Sequence, residues 1–369
     1  MADTIFYRTF KNMDGAGLCR VWNRSWYVNV WGEAVDEHSF DQFIASKLIF
    51  NPAHLVVAVE PLETPDPTGL ADGRIVGFVH GGFGPNQEMN GCDKSVGYIA
   101  MLVVEQREDA QKIRARLLYE MEKVFFRLGI RRVFAGAVYP NAPFYTGRLF
   151  GCEPTGVLEN DPFLPQILLK NHYIAVERHH ILTFLLCDRL PLNFSQRVLA
   201  QSVELITPDE HLLRSDSAFL ASETGKKVRP SAELIPQDWW DVCAHSNVQW
   251  SRFVMLDRAT REPIAWVGVR VMTRSEKMTL LGLHHLYVKP QFRNNGFAKL
   301  LLTQVLNLLQ MEFHSCRAEL LVPEVNTSAL QTFAGLHFTI TSTGNVYQRD
   351  LPEDFLETDE SEKEREMNA

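Results

Sequence analysis

The same order of elements is written twice along this chain, and that repetition constrains the fold more than any single residue does. In the second half, residues 280–288 are apolar apart from His284 and His285, as in a strand covered on both faces. A short polar turn leads into Ala298, Leu301, Leu302, Val305, Leu308 and Leu309, which fall at helical spacing. A strand over 318–322, a helix over 326–333 and a last strand over 339–349 follow. The first half carries a strand over 96–104 and a helix over 110–128, striped by Ile113, Leu117, Met121, Val124, Phe125 and Leu128. A strand over 131–138 comes next. A hairpin precedes each strand–turn–helix, over 55–59 with 75–80 and over 250–256 with 263–272. A period of roughly 150 residues is too long for a solenoid unit and implies two copies of one domain.

The remaining segments fit that frame. Residues 5–10 read as a first strand, and 18–31 and 39–49 as helices with Asp36 or Ser39 as N-cap. Residues 61–73 are rich in Pro, Asp, Thr and Gly and read as a solvated loop. A helix over 165–170 and a strand over 174–186 close the first copy. Residues 188–191 mark the boundary, giving domains 1–188 and 189–351. Helices are expected over 194–202 and 239–246.

Net charge is −8, and residues 352–369 hold eight acids against Lys363 and Arg365. This acidic tail is expected to be disordered. The rest of the chain is nearly neutral and carries no nucleic-acid footprint. Six cysteines are scattered without a Cys-x-x-Cys, which fits a reducing cytoplasm. Neither a charged-then-apolar leader nor a run of ~18 apolar residues is present, so secretion and membrane spanning are not expected. The His179-His180 and His284-His285 pairs are adjacent, so on a strand each pair faces opposite ways, and no metal site is expected.

Between the second strand and its helix lies Arg293-Asn294-Asn295-Gly296-Phe297-Ala298. A glycine turn there aims several backbone N–H groups and the positive end of a helix dipole at one spot, which suits a phosphate. With Val288 and Pro290 before it, this segment resembles the acetyl-CoA pyrophosphate loop of the GNAT superfamily of N-acetyltransferases. The whole order of elements resembles tandem GNAT proteins, of which mycothiol synthase is one. The resemblance implies an α+β fold: two tandem GNAT domains, each a mostly antiparallel mixed sheet flanked by helices. It also implies an acyltransferase that uses acetyl-CoA as cosubstrate and a small-molecule or peptide amine as acceptor. The cofactor-binding residues carried over are Leu286, Val288, Arg293, Asn294, Asn295, Gly296, Phe297, Ala298, Asn326 and Phe333.

The family's general base is often a Glu in Glu-Leu-x-Val-x-Pro; here the residue is His285. With an ordinary pKa of ~6.5 an imidazole can take up a proton near neutrality. His285 therefore stands either as base or as a satisfied groove histidine. Asn326-x-x-Ala329-x-x-x-Phe333 matches the last family motif, except that the Tyr which protonates the thiolate is Phe333 and the usual Gly is His337. Phenylalanine cannot donate a proton, so the acid falls to Tyr347, His285 or water. The first copy has Glu105, Glu108 and Asp109 and no glycine at its matching turn, which implies a lost cofactor site. Asn141, Phe144 and Tyr145 resemble the Asn…Tyr helix start there. A non-catalytic acyl-CoA sensor or assembly protein is the alternative to an enzyme.

Overall fold

A computed structural model describes residues 5–27, 34–47, 49–62, 72–88, 91–138, 141, 144–145, 155–206, 249–275, 278–314 and 316–356. The chain divides into two compact units that do not follow sequence order. Unit 1 comprises Met1–Phe150, Pro154–Arg178 and Gly344–Ala369, and unit 2 comprises Gly151–Glu153 and His179–Thr343. The strands expected over 174–186 and 339–349 therefore each pass from one unit to the other.

Unit 1 contains β1 (Phe6–Thr9), α1 (Gly15–Asn23), α2 (Glu37–Phe40), β2 (Leu55–Glu60), β3 (Arg74–Gly82) and β4 (Val96–Val104). There follow α3 (Ala110–Arg127), β5 (Arg132–Ala135), β6 (Val157–Leu158), α4 (Leu164–Lys170) and the start of β7 (Ile174–Leu186). Unit 2 takes the rest of β7, then α5 (Phe194–Ser202), β8 (Val203–Ile206), β9 (Gln249–Asp257), β10 (Pro263–Ser275) and β11 (Met278–Val288). It continues through α6 (Phe297–Phe313), β12 (Cys316–Pro323), α7 (Thr327–Ala334) and the start of β13 (Thr339–Asp350).

In unit 1 the strand order is β1-β2-β3-β4-β5-β13, with β6 also on β13. In unit 2 it is β8-β9-β10-β11-β12-β7. Pairing is antiparallel except for β4–β5 and β11–β12, the two crossovers that α3 and α6 make. Each unit thus closes on a strand drawn from the other half of the sequence. Both units are α+β, a mixed sheet with helices, as the resemblance implied.

The long helices build the cores. Leu117, Met121 and Phe125 of α3 pack with Val79, Ile99 and Val133. Leu301, Val305 and Leu309 of α6 pack with Val269, Leu281 and Ala318. The incoming end of β13 is fastened in unit 1 by charge as well as by its ladder. Arg349 donates to both carboxylate oxygens of Glu122 at 2.8 and 2.9 Å, and the Tyr173 hydroxyl donates to the same carboxylate at 2.8 Å. Glu122 is 1% exposed, and burial pushes its carboxyl up from the ordinary value.

Some elements depart from expectation. The helix expected over 18–31 is α1, which ends at Asn23. The one expected over 39–49 starts earlier: the Asp36 carboxylate accepts from Ser39 N–H, and α2 gives way to a π turn over Asp41–Ala45. Strands β6 and β8 have no clear sequence signal. The expected helix over 239–246 lies outside the described residues. Of the tail expected to be disordered over 352–369, residues 352–356 are described and Phe355 packs into the core of unit 1; the remainder lies outside the described residues. Among the described residues, no helix is long and apolar enough to cross a membrane.

Candidate functional site

The end of β11 is set apart from its neighbour. The parallel ladder with β12 runs from Thr279 opposite Cys316 to Gly282 opposite Glu319. Among the described residues the two strands do not pair beyond that point, although β11 continues to Val288 and β12 stays paired to β7 as far as Pro323. Along 283–288 one edge of β11 is therefore open to other hydrogen-bonding partners. On its other edge, Trp266 of β10 stands opposite Tyr287 and Gly268 opposite His284. Residue 267 alone faces 285 and 286, which makes a bulge that re-aims the strand at this place. Leu286 and Val288 are half-buried against the core of unit 2. The strand of His285 is described, but its side chain lies outside the described residues.

After Val288 the chain makes a 3-10 turn at Pro290–Phe292, held by Lys289 N–H to the Ile264 carbonyl at 2.9 Å. Asn294 and Gly296 then take positive φ, 63° and 84°. Gly296 is the N-cap of α6, without a side-chain cap. A Cβ at this position would meet nothing within 4 Å, so the left-handed φ, and not crowding, selects glycine. The first-turn amides at Phe297, Ala298 and Lys299 have no intrahelical acceptor, and they lie beside an exposed turn.

Arg293 closes the turn onto the strand. Its Nε donates to the Val288 carbonyl at 2.9 Å, and its guanidinium lies 5.4 Å from the Tyr287 ring centroid. Tyr287 in turn stacks on Trp266 at 4.3 Å. Lys289 is tied to Glu262 at 3.0 Å, and Asn295 donates to the Arg293 carbonyl at 3.1 Å. The turn is preformed by its own residues, with the amides of α6 left over.

The second motif forms as a helix start. Asn326 caps α7, its side chain accepting from Ala329 N–H at 3.1 Å. Phe333 is 2% exposed and packs edge-on against Phe338 at 5.2 Å. His337 has φ 66°, so it occupies the left-handed conformation for which the family's glycine is suited. Tyr347 belongs to unit 1: it lies opposite Ala135 of β5, is 5% exposed, and burial pushes its phenol up. The cofactor residues expected from sequence, from Leu286 to Phe333, all belong to unit 2, whereas Tyr347 does not.

Unit 1 repeats the geometry without the same turn. Its parallel ladder stops at Ile99 opposite Ala135, β4 runs on to Val104, and a bulge sits at residue 100. Where unit 2 has Gly296, the N-cap of α3 is Asp109 with φ −89°. Glu105 and Asp109 are engaged by Arg74 and Arg107: Arg74 reaches Glu105 at 2.9 Å and Glu60 at 2.8 Å, and Arg107 pairs with Glu60 and Asp109. Tyr145, at φ 53°, is buried and hydrogen-bonded to His80 Nδ1 at 3.0 Å. Trp239, Trp240 and Trp250, read from the sequence as core residues or as neighbours of an acceptor cleft, lie outside what is described, the first two entirely and Trp250 by its side chain. The open edge, the bulge and the Trp266–Tyr287–Arg293 stack carry no sequence signal of their own, because each depends on strand register.

The model of the Acetyltransferase (GNAT) family matches residues 19–151 and 217–338. A comparison with curated protein sequences gives no match. Among solved structures, a glucosamine N-acetyltransferase region of a fungal multi-domain β-N-acetylglucosaminidase is similar at TM-score 0.63 and 13% identity. That match covers 95% of this chain and 38% of the fungal one, so the chain spans well under half of that protein's length. A tandem GNAT protein from the clavulanic acid biosynthesis pathway is similar at TM-score 0.61 and 12% identity, covering 94% of this chain and 98% of that one. A GCN5-related N-acetyltransferase from Sphaerobacter thermophilus gives TM-score 0.60 and 12% identity, covering 94% and 95%. At these identities the likeness is one of fold, and it is a fold of two such regions in tandem.

Proposed function

The chain belongs to the acetyltransferase (GNAT) family, and we propose that its second unit transfers an acetyl group from acetyl-CoA to the amine of an acceptor by direct attack. The observation that carries this reading is the preformed turn from Arg293 to Ala298, with left-handed Gly296 at the start of α6 and the open edge of β11 beside it. The first-turn amides of α6 hold the pyrophosphate, and the exposed glycine lets it approach. The amide and carbonyl groups of Leu286 and Val288 hold the pantetheine arm as a ladder partner would, and Asn326 and Phe333 flank it. Arg293, Asn294, Asn295, Phe297 and Ala298 shape the cradle.

In the ternary complex the acceptor nitrogen attacks the acetyl carbonyl carbon, the C–S bond breaks, and the amine gives up one proton while the thiolate gains one. His285, on the bulge of β11, is the proposed base. Tyr347 is buried in the core of unit 1, so the returning proton is assigned to His285 or water. Losing a positioned acid typically costs ~10²–10⁴-fold, which slows such an enzyme without abolishing it. A second reading, an acyl-CoA-binding sensor or assembly protein, is favoured by one observation, the buried Phe333 ring at the acid's position. In either reading unit 1 is the copy that has lost its cofactor site, with ion-paired Glu105 and Asp109 before α3 in place of a glycine turn.

Thermal melting tests the cradle. Acetyl-CoA at about 100 times its Kd stabilises the wild type by ~2.7 kcal/mol, and Gly296→Glu abolishes that shift. A wild type that no acyl-CoA stabilises sinks both readings. Thiol release with a panel of amines then separates enzyme from sensor, and undiminished turnover in His285→Ala removes the assigned base.

A further inference from the structure

Lys289, Arg293 and Lys299 stand in or beside the turn that opens α6, and they are not held alike. Lys289 is tied to Glu262 at 3.0 Å. Arg293 is fastened by its Nε to the Val288 carbonyl at 2.9 Å, with its guanidinium over the Tyr287 ring. Lys299 is exposed, and among the described residues its ammonium makes no hydrogen bond or ion pair. It is the third residue of α6 after the N-cap Gly296, and the first turn of that helix contains no acid. A cation there adds to the positive end of the helix dipole, which costs stability unless an anion offsets both.

Gly335, the C-cap of α7, marks where the ammonium lies. A Cβ built on Gly335 would run into Lys299 Nζ and stand 2.9 Å from its Cε, so the lysine crosses from the start of α6 to the end of α7 and occupies the room that a glycine leaves. The negative end of the α7 dipole draws it there without a fixed bond. The ammonium is thus displaced sideways from the α6 axis, whereas the first-turn amides point along that axis. An anion on the amides and an anion on Lys299 sit in different places, and a single ligand that serves both must carry two separate anionic groups. Unit 1 provides the internal comparison. Lys112 holds the same third position of α3, but there the N-cap is Asp109, with Glu105 and Glu108 just before it. That helix start brings its own carboxylates, in the unit that has lost the cradle. The lysine of unit 2 is left to an anion from outside the chain.

CoA carries phosphate in two places, the pyrophosphate and a 3′-phosphate on the ribose. We propose that Lys299 recognises the 3′-phosphate while the amides of α6 hold the pyrophosphate, so that unit 2 selects CoA donors over those that end in a plain ribose. The contact is a flexible point charge on a phosphate, not a fitted fork, so it tolerates arginine and weakens with salt. The inference rests on the proposed binding of acetyl-CoA at the α6 cradle and adds a specificity-determining residue to it.

The test compares CoA with 3′-dephospho-CoA, which differ only in that group, by titration calorimetry on the full chain. The wild type is expected to bind CoA about tenfold more tightly, the size of one charge-assisted contact. Lys299→Met should bring the two Kd values together by weakening CoA alone, and Lys299→Arg should keep most of the preference. Raising the salt from about 0.1 to about 0.5 M should narrow the gap in the wild type and not in Lys299→Met. Should Lys299→Met fail to fold, Lys299→Gln supplies the same comparison. Equal affinity of the wild type for the two ligands overturns the inference. So does a neutral variant that loses both ligands in the same proportion, which would put the ammonium on the pyrophosphate, or one that keeps the full preference for CoA. A wild type that binds neither ligand and that acetyl-CoA fails to stabilise overturns the parent reading instead.

Discussion

At the scale of single residues, His337 holds a conformation that histidine does not favour. Phe338 N–H reaches back to the Phe333 carbonyl at 3.1 Å and His337 N–H to the Ala334 carbonyl at 3.0 Å, with His337 at φ 66° between them. This is the Schellman ending of α7, and the Phe333–Phe338 contact is its usual apolar clasp. A left-handed L-residue costs ~1–2 kcal/mol, so His337→Gly should stabilise the protein by about 1 kcal/mol after glycine's greater entropy loss. Thermal melting checks it, and an unchanged or lower Tm removes the strain. His80 makes the second residue-scale prediction. It is wholly buried, and burial, with His54 and Lys47 nearby, lowers its pKa to about 3. Between about pH 6.5 and 3 the unfolded chain binds a proton that folded His80 does not, so stability falls as pH falls through that window. One such proton gives a slope of at most ~1.4 kcal/mol per pH unit. His80→Gln keeps an acceptor for Tyr145 and should flatten the urea-midpoint profile by one proton relative to wild type; parallel profiles would refute this. Gly296 was legible in the sequence because a glycine between strand and helix is a local signal. His337 was legible as a departure from a family glycine, but not as a residue that keeps the glycine's left-handed conformation; His80 was not legible, since it acquires its environment only through tertiary burial.

Among the elements, β13 is held in unit 1 by the most deeply buried ion pair described there. Arg349 is the charged partner of Glu122, and Tyr173 supplies the third hydrogen bond. Removing one partner of a buried pair strands the other, so Arg349→Met should cost ~3–5 kcal/mol. The double variant Arg349→Met with Glu122→Leu should recover most of that loss, because neither charge remains to be desolvated. Denaturant unfolding of the three chains checks this; a double variant no better than the single one would mean that packing, not charge, holds the strand. Helix and strand spans were largely legible here: β4, β7 and α5 carry periodic apolar patterns long enough to settle their ends. The parting of β11 from β12 and the bulges at residues 100 and 285–286 were not. They are properties of register between strands, and neither strand's own sequence encodes where its neighbour leaves it.

For the whole molecule, the repeat predicted two copies of one domain but not the exchange of their closing strands. An apolar strand such as 174–186 has the same pattern whichever sheet it joins, so composition cannot assign it. Yet the assignment decides what each half can do alone. Unit 1 takes from β13 the ladder opposite Arg132–Ala135, the Arg349–Glu122 pair, and the buried side chains of Tyr347, Leu351 and Phe355. Unit 2 takes from the first half of the sequence the end of β7, which pairs along all of β12, and the segment that follows it supplies α5 and β8, the partner of β9. A fragment of residues 1–206 therefore lacks the partner of β5 and should expose that edge, which favours association with other chains. Mixed with a fragment of residues 207–369, it should regain a single native-like species. Hydrogen exchange on the amides of Arg132–Ala135 reads this directly: slow in the intact chain and in the reassembled pair, fast in the fragment alone. A monomeric 1–206 fragment whose β5 amides are already protected would show that unit 1 closes without β13, and that the exchange contributes nothing to its folding.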